Sequence, residues 1–360
     1  MDKTKALPEI NEEPSRSTEE QMGMLEQLRV TKKVRAICFF NNKGGVGKTT
    51  LVANLGAHLA LNLKARILVV DADPQCNLTQ YIMKDDEFIE TYQRSNDPKT
   101  IYSVIHPLST GKGYTDSLPI IKSEQFGFDV VIGDPRLALK EDLLAQDWRD
   151  AKAGGTRGLR TTFVFSDLIS KAESYDFVLF DMGPSLGAIN RAILLSAHYF
   201  IVPMSIDIFS LWAINNIGEA LKVWQKELLN GVRLAEDPAE FSIGETRSNL
   251  KFLGYVMQQH IERTKAGSKL IVEAYETISR RLPDEIKKKF GQLYPVDSVQ
   301  AHLGDIKHLA SLAPRSQTLH SPMITVVLKG SFTLLRKQAR SIFQLISGRF
   351  LENLIAIENG

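Results

Sequence analysis

The sequence has 360 residues, 43 % hydrophobic and 24 % charged, with 44 Lys and Arg against 42 Asp and Glu, for a formal net charge of +2. These values give the chain ample apolar material for a core, argue against global disorder, and carry no global charge signal for or against a nucleic-acid partner. Only Cys38 and Cys76 are present, too few for a disulfide framework or a cysteine-built zinc site, and no apolar run approaches the roughly 18 residues of a membrane-spanning helix. The N-terminus carries Glu, Lys and Pro where a signal peptide needs an apolar stretch, so a reducing, cytoplasmic setting is expected.

Residues 1–33, rich in Glu, Lys, Ser and Thr, read as an arm that is flexible or holds one short helix built on Met22, Met24, Leu25 and Leu28. Val34 to Phe40 is a compact apolar run that stops at Asn41 and Gly44, after which Leu51, Leu55 and Leu59 recur at helical spacing. A strand, a glycine loop and a helix are expected in that order. A second strand-like run, Arg66 to Val70, stops at Asp71 and makes the helix the crossover of a parallel pair. Further strands are expected at Phe128–Ile132, Phe177–Phe180, Tyr199–Pro203 and Phe252–Met257, separated by helical stretches such as Gly187–Ala197 and Ser210–Leu229. Alternation of this kind predicts an α/β fold, a doubly wound and mostly parallel sheet flanked by helices.

Turn-formers dominate residues 84–125 and 150–160, which read as surface insertions within one domain over 34–330. Phe343, Ile346, Phe350, Leu354 and Ile357 fit one face of a terminal helix in 331–360.

The loop after the first strand holds the densest chemistry. Asn42 to Thr49 meets the phosphate-loop pattern G-x-x-x-x-G-K-[ST] only if its first position is relaxed to Asn42. Gly44, Gly45 and Gly47, with Val46 among them, let backbone N–H groups turn inward around anionic oxygens, and the helix beginning near Lys48 aims its positive end at them. Lys48 supplies a point charge to the β- and γ-phosphates, and the Thr49 hydroxyl suits Mg²⁺ coordination beside Thr50.

Lys43-Gly44-Gly45-Val46-Gly47-Lys48-Thr49-Thr50 resembles, residue for residue, the K-G-G-x-G-K-T-T signature of the ParA/MinD family of deviant-Walker P-loop ATPases, with ParA-type partition ATPases the nearest members. The resemblance implies a P-loop NTPase fold, ATP and Mg²⁺ as cofactors, and an ATP-bound homodimer in which Lys43 reaches the partner subunit's nucleotide. A second cation on the γ-phosphate stabilises the charge of phosphoryl transfer, as an arginine finger in trans does.

Ile67 to Gln75 looks like the family's strand ending in D-x-D-P-Q, which implies that Asp73 positions the attacking water and that Asp71 lies at the nucleotide. Tyr175 to Asp181 resembles the Walker B strand, with Asp181 holding Mg²⁺. The following Met182-Gly183-Pro184-Ser185 departs from the family's Pro-Pro-Ser, since Gly183 replaces a proline in the γ-phosphate switch. A glycine there has freer φ/ψ and an N–H to donate, so sensing is retained with altered timing. Gly254 to Gln258 falls where the family has its adenine-side strand, which makes Met257 and Gln258 adenine-pocket candidates. Ile306-Lys307-His308 and Leu312 to Ser316 resemble the segment before the family's last helices. The likeness spans Val34 to about Ser316.

For purpose, the family resemblance points first to plasmid or chromosome partition or cargo positioning. An ATP dimer would bind DNA non-specifically, a ParB-like adaptor would stimulate hydrolysis, and the protein would be nucleoid-associated. Lys307 and Arg315 are the DNA candidates, with Arg280-Arg281 and Lys287-Lys288-Lys289 as further basic runs. The alternative is a MinD-like membrane positioner, in which Arg336, Lys337, Arg340 and Arg349 beside Phe343 and Phe350 form an amphipathic membrane helix. An iron–sulfur ATPase is disfavoured, because Cys38 lies within a strand and Cys76 follows Gln75, so neither gives a bridging pair. The 33 residues before the first strand are too few for an operator-binding helix-turn-helix.

Overall fold

Five-residue runs of apolar side chains form the central strands because both of their faces are covered, as parallel sheets require. The computed structural model describes residues 15–95, 98–205, 207–241, 250–258, 280–293, 299–306, 309, 311–327 and 332–360. Among them the strands are β1 (Arg35–Phe39), β2 (Ile67–Asp71), β3 (Ile120–Ser123), β4 (Phe128–Val131), β5 (Phe177–Asp181), β6 (Tyr199–Ser205), β7 (Lys251–Gln258) and β8 (His302–Ile306). They form one sheet in the order β3-β4-β2-β5-β1-β6-β7-β8. Only the β3–β4 pair is antiparallel. The expected doubly wound, mostly parallel sheet is present, extended at both edges by β3 and β8.

One face of the sheet packs against helix α2 (Lys48–Leu63), the terminal helix Phe332–Asn359 and helix α1 (Thr18–Arg29). The other packs against Val164–Ser170, Ala188–Ser196 and Ile208–Leu234. Residues 18–29 of the arm form a docked helix. Ser17 and Glu20 make a reciprocal capping box, Leu25 and Leu28 are buried, and the buried Gln21 amide donates to Gln344 O at 2.9 Å while its oxygen accepts from Ser347 Oγ at 2.6 Å. Arg35 holds the other end of the terminal helix through two 2.6 Å bonds to Glu358.

Residues 150–160 carry more structure than their turn-formers suggest. Helices Glu141–Lys152 and Thr156–Thr162 meet at Gly154, whose φ of +88° favours glycine. Trp148, Ala151, Leu159 and Phe163 from this hairpin form a small core with Leu195 and Leu228. In residues 84–125, strand β3 joins the sheet edge.

The membrane alternative loses its apolar face here. Phe343 and Phe350 are fully buried, and Phe350 meets Phe177 edge-on with ring centroids 5.4 Å apart. Arg340 donates to Ile324 O at 2.7 Å and Arg349 to His302 O at 3.1 Å. Among the described residues, no helix is long and apolar enough to cross a membrane.

Candidate functional site

β1 delivers the phosphate loop and α2 leaves it. Gly45 and Gly47 adopt φ of +73° and +71°, a region side chains other than glycine rarely enter, and Gly47 stands at the N-cap of α2. A Cβ on Gly47 would also overlap the Gln258 carboxamide, so the loop is pinned from behind. Its open side faces a cavity of about 560 Å³ lined by Gly44 to Thr50, Asp73, Gln75, Asn77, Gln80, Tyr81, Pro184 and Gln317. That is within the range of small-molecule sites.

Lys48 is only 7 % exposed, and its ammonium reaches no closer than 3.5 Å to Asn41 O and 3.4 Å to Lys43 O. Burial lowers its pKa, while Asp181 and Asp73 favour its charge. A buried ammonium with such long contacts gains most from an anion in the cavity.

Three carboxylates cluster near it at and just past the C-terminal ends of β2 and β5, where Asp71 and Asp181 are paired in register. Asp71 is already bonded: it accepts from Thr79 Oγ1 at 2.6 Å, Thr79 N at 2.9 Å and Asp73 N at 3.3 Å. It does not line the cavity; it fixes the turn that carries Asp73. Burial, with the neighbouring Asp73 charge adding, pushes its pKa up to about 6. Asp73 lines the cavity, accepting from Gln75 N at 2.9 Å. A Cβ on Gly183 would stand 3.3 Å from Asp73 Oδ1, so the switch residue and the acid are neighbours.

Asp181 is fully buried, and neither of its oxygens has a hydrogen-bond partner among the described residues. Burial and the charges of Asp71 and Asp73 push its pKa well up, with the nearby Thr49 hydroxyl and Lys48 opposing. The Thr49 hydroxyl favours the carboxylate but makes no hydrogen bond of good geometry to it.

An orphaned buried carboxylate beside a threonine hydroxyl fits a hard divalent cation that takes its other ligands from phosphate and water. The described residues hold no group of three or more His, Cys, Asp or Glu side chains able to cage a metal alone, so Mg²⁺ would come with nucleotide. Because burial raises the Asp181 pKa, protons compete with Mg²⁺ for this carboxylate, and Mg²⁺ affinity in the presence of nucleotide should weaken as pH is lowered. Calorimetry in buffers of different ionisation enthalpy should detect the released protons.

Lys43 does not line this cavity. Its ammonium bonds Ser205 Oγ at 2.9 Å and pairs with Asp207, just beyond the C-terminal end of β6, while the side chain stays 33 % exposed. Burial alone would raise the Asp207 pKa; bonds from Lys43 and Ser205 hold it below the usual range.

Of the adenine candidates, Met257 is buried in the apolar core and Gln258 packs against Gly47; neither lines the cavity. Gln80, Tyr81 and Gln317 line it instead. They were missed because no motif marks them, although Gln317 follows the family-like Ala313-Pro314-Arg315-Ser316. Arg315 is exposed on the short helix Leu312–Thr318, and Lys307 lies outside the described residues.

Comparison with known proteins gives these features a context. Residues 34–234 match the model of a family described as an AAA domain. A virulence-plasmid ParA family protein of Chlamydia psittaci is 31 % identical over 191 residues, covering 52 % of this chain and 62 % of that protein. Two further ParA partition proteins, from Thermus thermophilus and Myxococcus xanthus, are covered over 52 % and 60 % of their lengths, so the chain matches about half to two thirds of these curated relatives. The crystal structure of a Corynebacterium diphtheriae protein superposes with a TM-score of 0.62 at 27 % identity, over 79 % of this chain and 97 % of that one. The ATP complex of a Cyanothece McdA variant shares the fold, with a TM-score of 0.57 at 16 % identity over 89 % of this chain and 96 % of its own.

Proposed function

The chain belongs to the ParA/MinD family of P-loop ATPases, and from that premise we propose that it is a dimerising ATPase of partition or cargo positioning. In its ATP state it binds DNA non-specifically, and a ParB-like adaptor stimulates hydrolysis. The observation that carries this reading is the division of cations at the loop. Lys48 is buried inside its own cavity, whereas Lys43 is turned out of it toward Asp207 and the rim. A lysine outside its own cavity and one third exposed supports a role at a partner's nucleotide, reached by exchanging Asp207 for phosphate.

The roles divide accordingly. The glycine cradle and Lys48 bind the β- and γ-phosphates, while Thr49 and Asp181 would hold Mg²⁺, whose charge would favour phosphoryl transfer. Asp73 orients the attacking water, and Gly183 beside it senses the γ-phosphate. Lys43 of the opposite subunit stabilises the transferring group. For DNA, Arg315 is joined by the groove in which exposed Trp212 lies beside Arg281, Lys288 and Lys289, with Glu285 the acid among them.

Asp73→Ala tests this function. Hydrolysis should fall by about 10² or more as water orientation is lost, while ATP affinity holds or rises because one negative charge near the γ-phosphate is gone. The variant with Mg-ATP should retain duplex DNA persistently, and wild type with ADP should not. Affinity should fall steeply with salt. Persistent ATP binding with no retention of DNA at low salt would remove DNA from the proposal.

A further inference from the structure

The loop after Asp181 is held from behind by one side chain, backed by a second, and neither lines the nucleotide cavity. Asn190, buried on helix Ala188–Ser196, donates from its single Nδ2 to Gly183 O at 2.8 Å and to Ser185 O at 2.6 Å. It therefore fixes both ends of Gly183-Pro184-Ser185, the segment that places Gly183 beside Asp73 and Pro184 in the cavity lining.

The helix bearing Asn190 is fixed in turn by Glu141. That carboxylate accepts from Ala188 N and, at 3.2 Å, from Ile189 N, two of the N–H groups a helix start leaves open. Gly187 is what admits it, since a Cβ there would collide with Glu141 Oε1. Farther along, Arg191 stacks over Trp148 at 4.6 Å and donates to Leu144 O at 3.4 Å, which ties the two helices together.

We infer that Glu141 and Asn190 are positioning residues for the γ-phosphate switch, acting in series: the carboxylate sets the helix, and the helix amide sets the loop against Asp73. The inference rests on the ATPase reading above.

Glu141→Gln and Asn190→Ala, singly and together in the full chain, test it. Equilibrium binding of a fluorescent ATP analogue with Mg²⁺ should change less than about threefold, while kcat falls at least about tenfold at near-constant KM. The double variant should be no worse than the weaker single, because the two residues act in one chain. By hydrogen exchange, a non-hydrolysable ATP analogue should protect peptides over 43–50 in every protein, and over 182–190 in wild type alone.

Unchanged kcat and unchanged protection over 182–190, with only a lower melting temperature, would reduce Glu141 to a helix cap and overturn the inference. If wild type showed neither protection over 43–50 nor hydrolysis, the ATPase reading itself would have failed. Positioning would then be judged on the nucleotide-free proteins, where Glu141→Gln must speed exchange over 182–190, and unchanged exchange overturns it.

Discussion

Lys48→Ala should bind Mg-ATP about 10²–10³-fold more weakly than wild type, because two charge-assisted bonds to phosphate oxygens, worth about 3–4 kcal/mol together, are lost. The fold should not suffer. The Lys48 ammonium is buried with two long hydrogen bonds of 3.4 and 3.5 Å, so removing it takes away mainly a desolvated charge. The melting temperature without nucleotide should hold or rise, and its increase on adding Mg-ATP should disappear. Calorimetric affinity within threefold of wild type would contradict the phosphate assignment.

Phe350→Ala should cost about 3–5 kcal/mol in denaturant unfolding, the range for removing a large aromatic from a core that cannot collapse around the space. Phe350 is fully buried, edge-on to Phe177 of β5, and surrounded by the apolar face shared with α1 and α2. The same burial decides against a membrane helix, since exposing Phe343 and Phe350 to lipid would open this core. A loss below about 1 kcal/mol, together with binding of wild type to anionic liposomes, would return the terminal helix to the membrane.

The strands nearest the chemistry were legible because a parallel strand covered on both faces reads as an unbroken apolar run. Arg35–Phe39, Ile67–Asp71 and Phe177–Asp181 all do so, and each ends where polar or acidic residues begin. The edge strands were not. β3 exposes three of its four residues, and β8 mixes His302, Gly304 and Asp305 into five, so neither carries a clear period. Gly304, at a φ of +151°, lets Ile346 of the terminal helix approach closely, a packing reason that no local pattern reveals.

At the site, spacing along one loop was enough to identify Gly44 to Thr50, because a phosphate cradle is built from consecutive backbone groups. What spacing could not convey was direction. Asp71, two residues from Asp73, turns to Thr79, and Lys43, five from Lys48, turns to Asp207. Gln258 backs the loop instead of facing a base. Glu141 and Asn190 carry no motif, since their roles arise only where two helices from distant sequence meet.

Whether Lys43 works across an interface can be read from mass. Light scattering on Asp73→Ala should give the mass of one chain without nucleotide and with Mg-ADP, and of two chains with Mg-ATP. Adding Lys43→Ala to that background should weaken the two-chain species while ATP still binds. A single-chain mass in all three states, with ATP demonstrably bound, would contradict an ATP-dependent dimer built on Lys43.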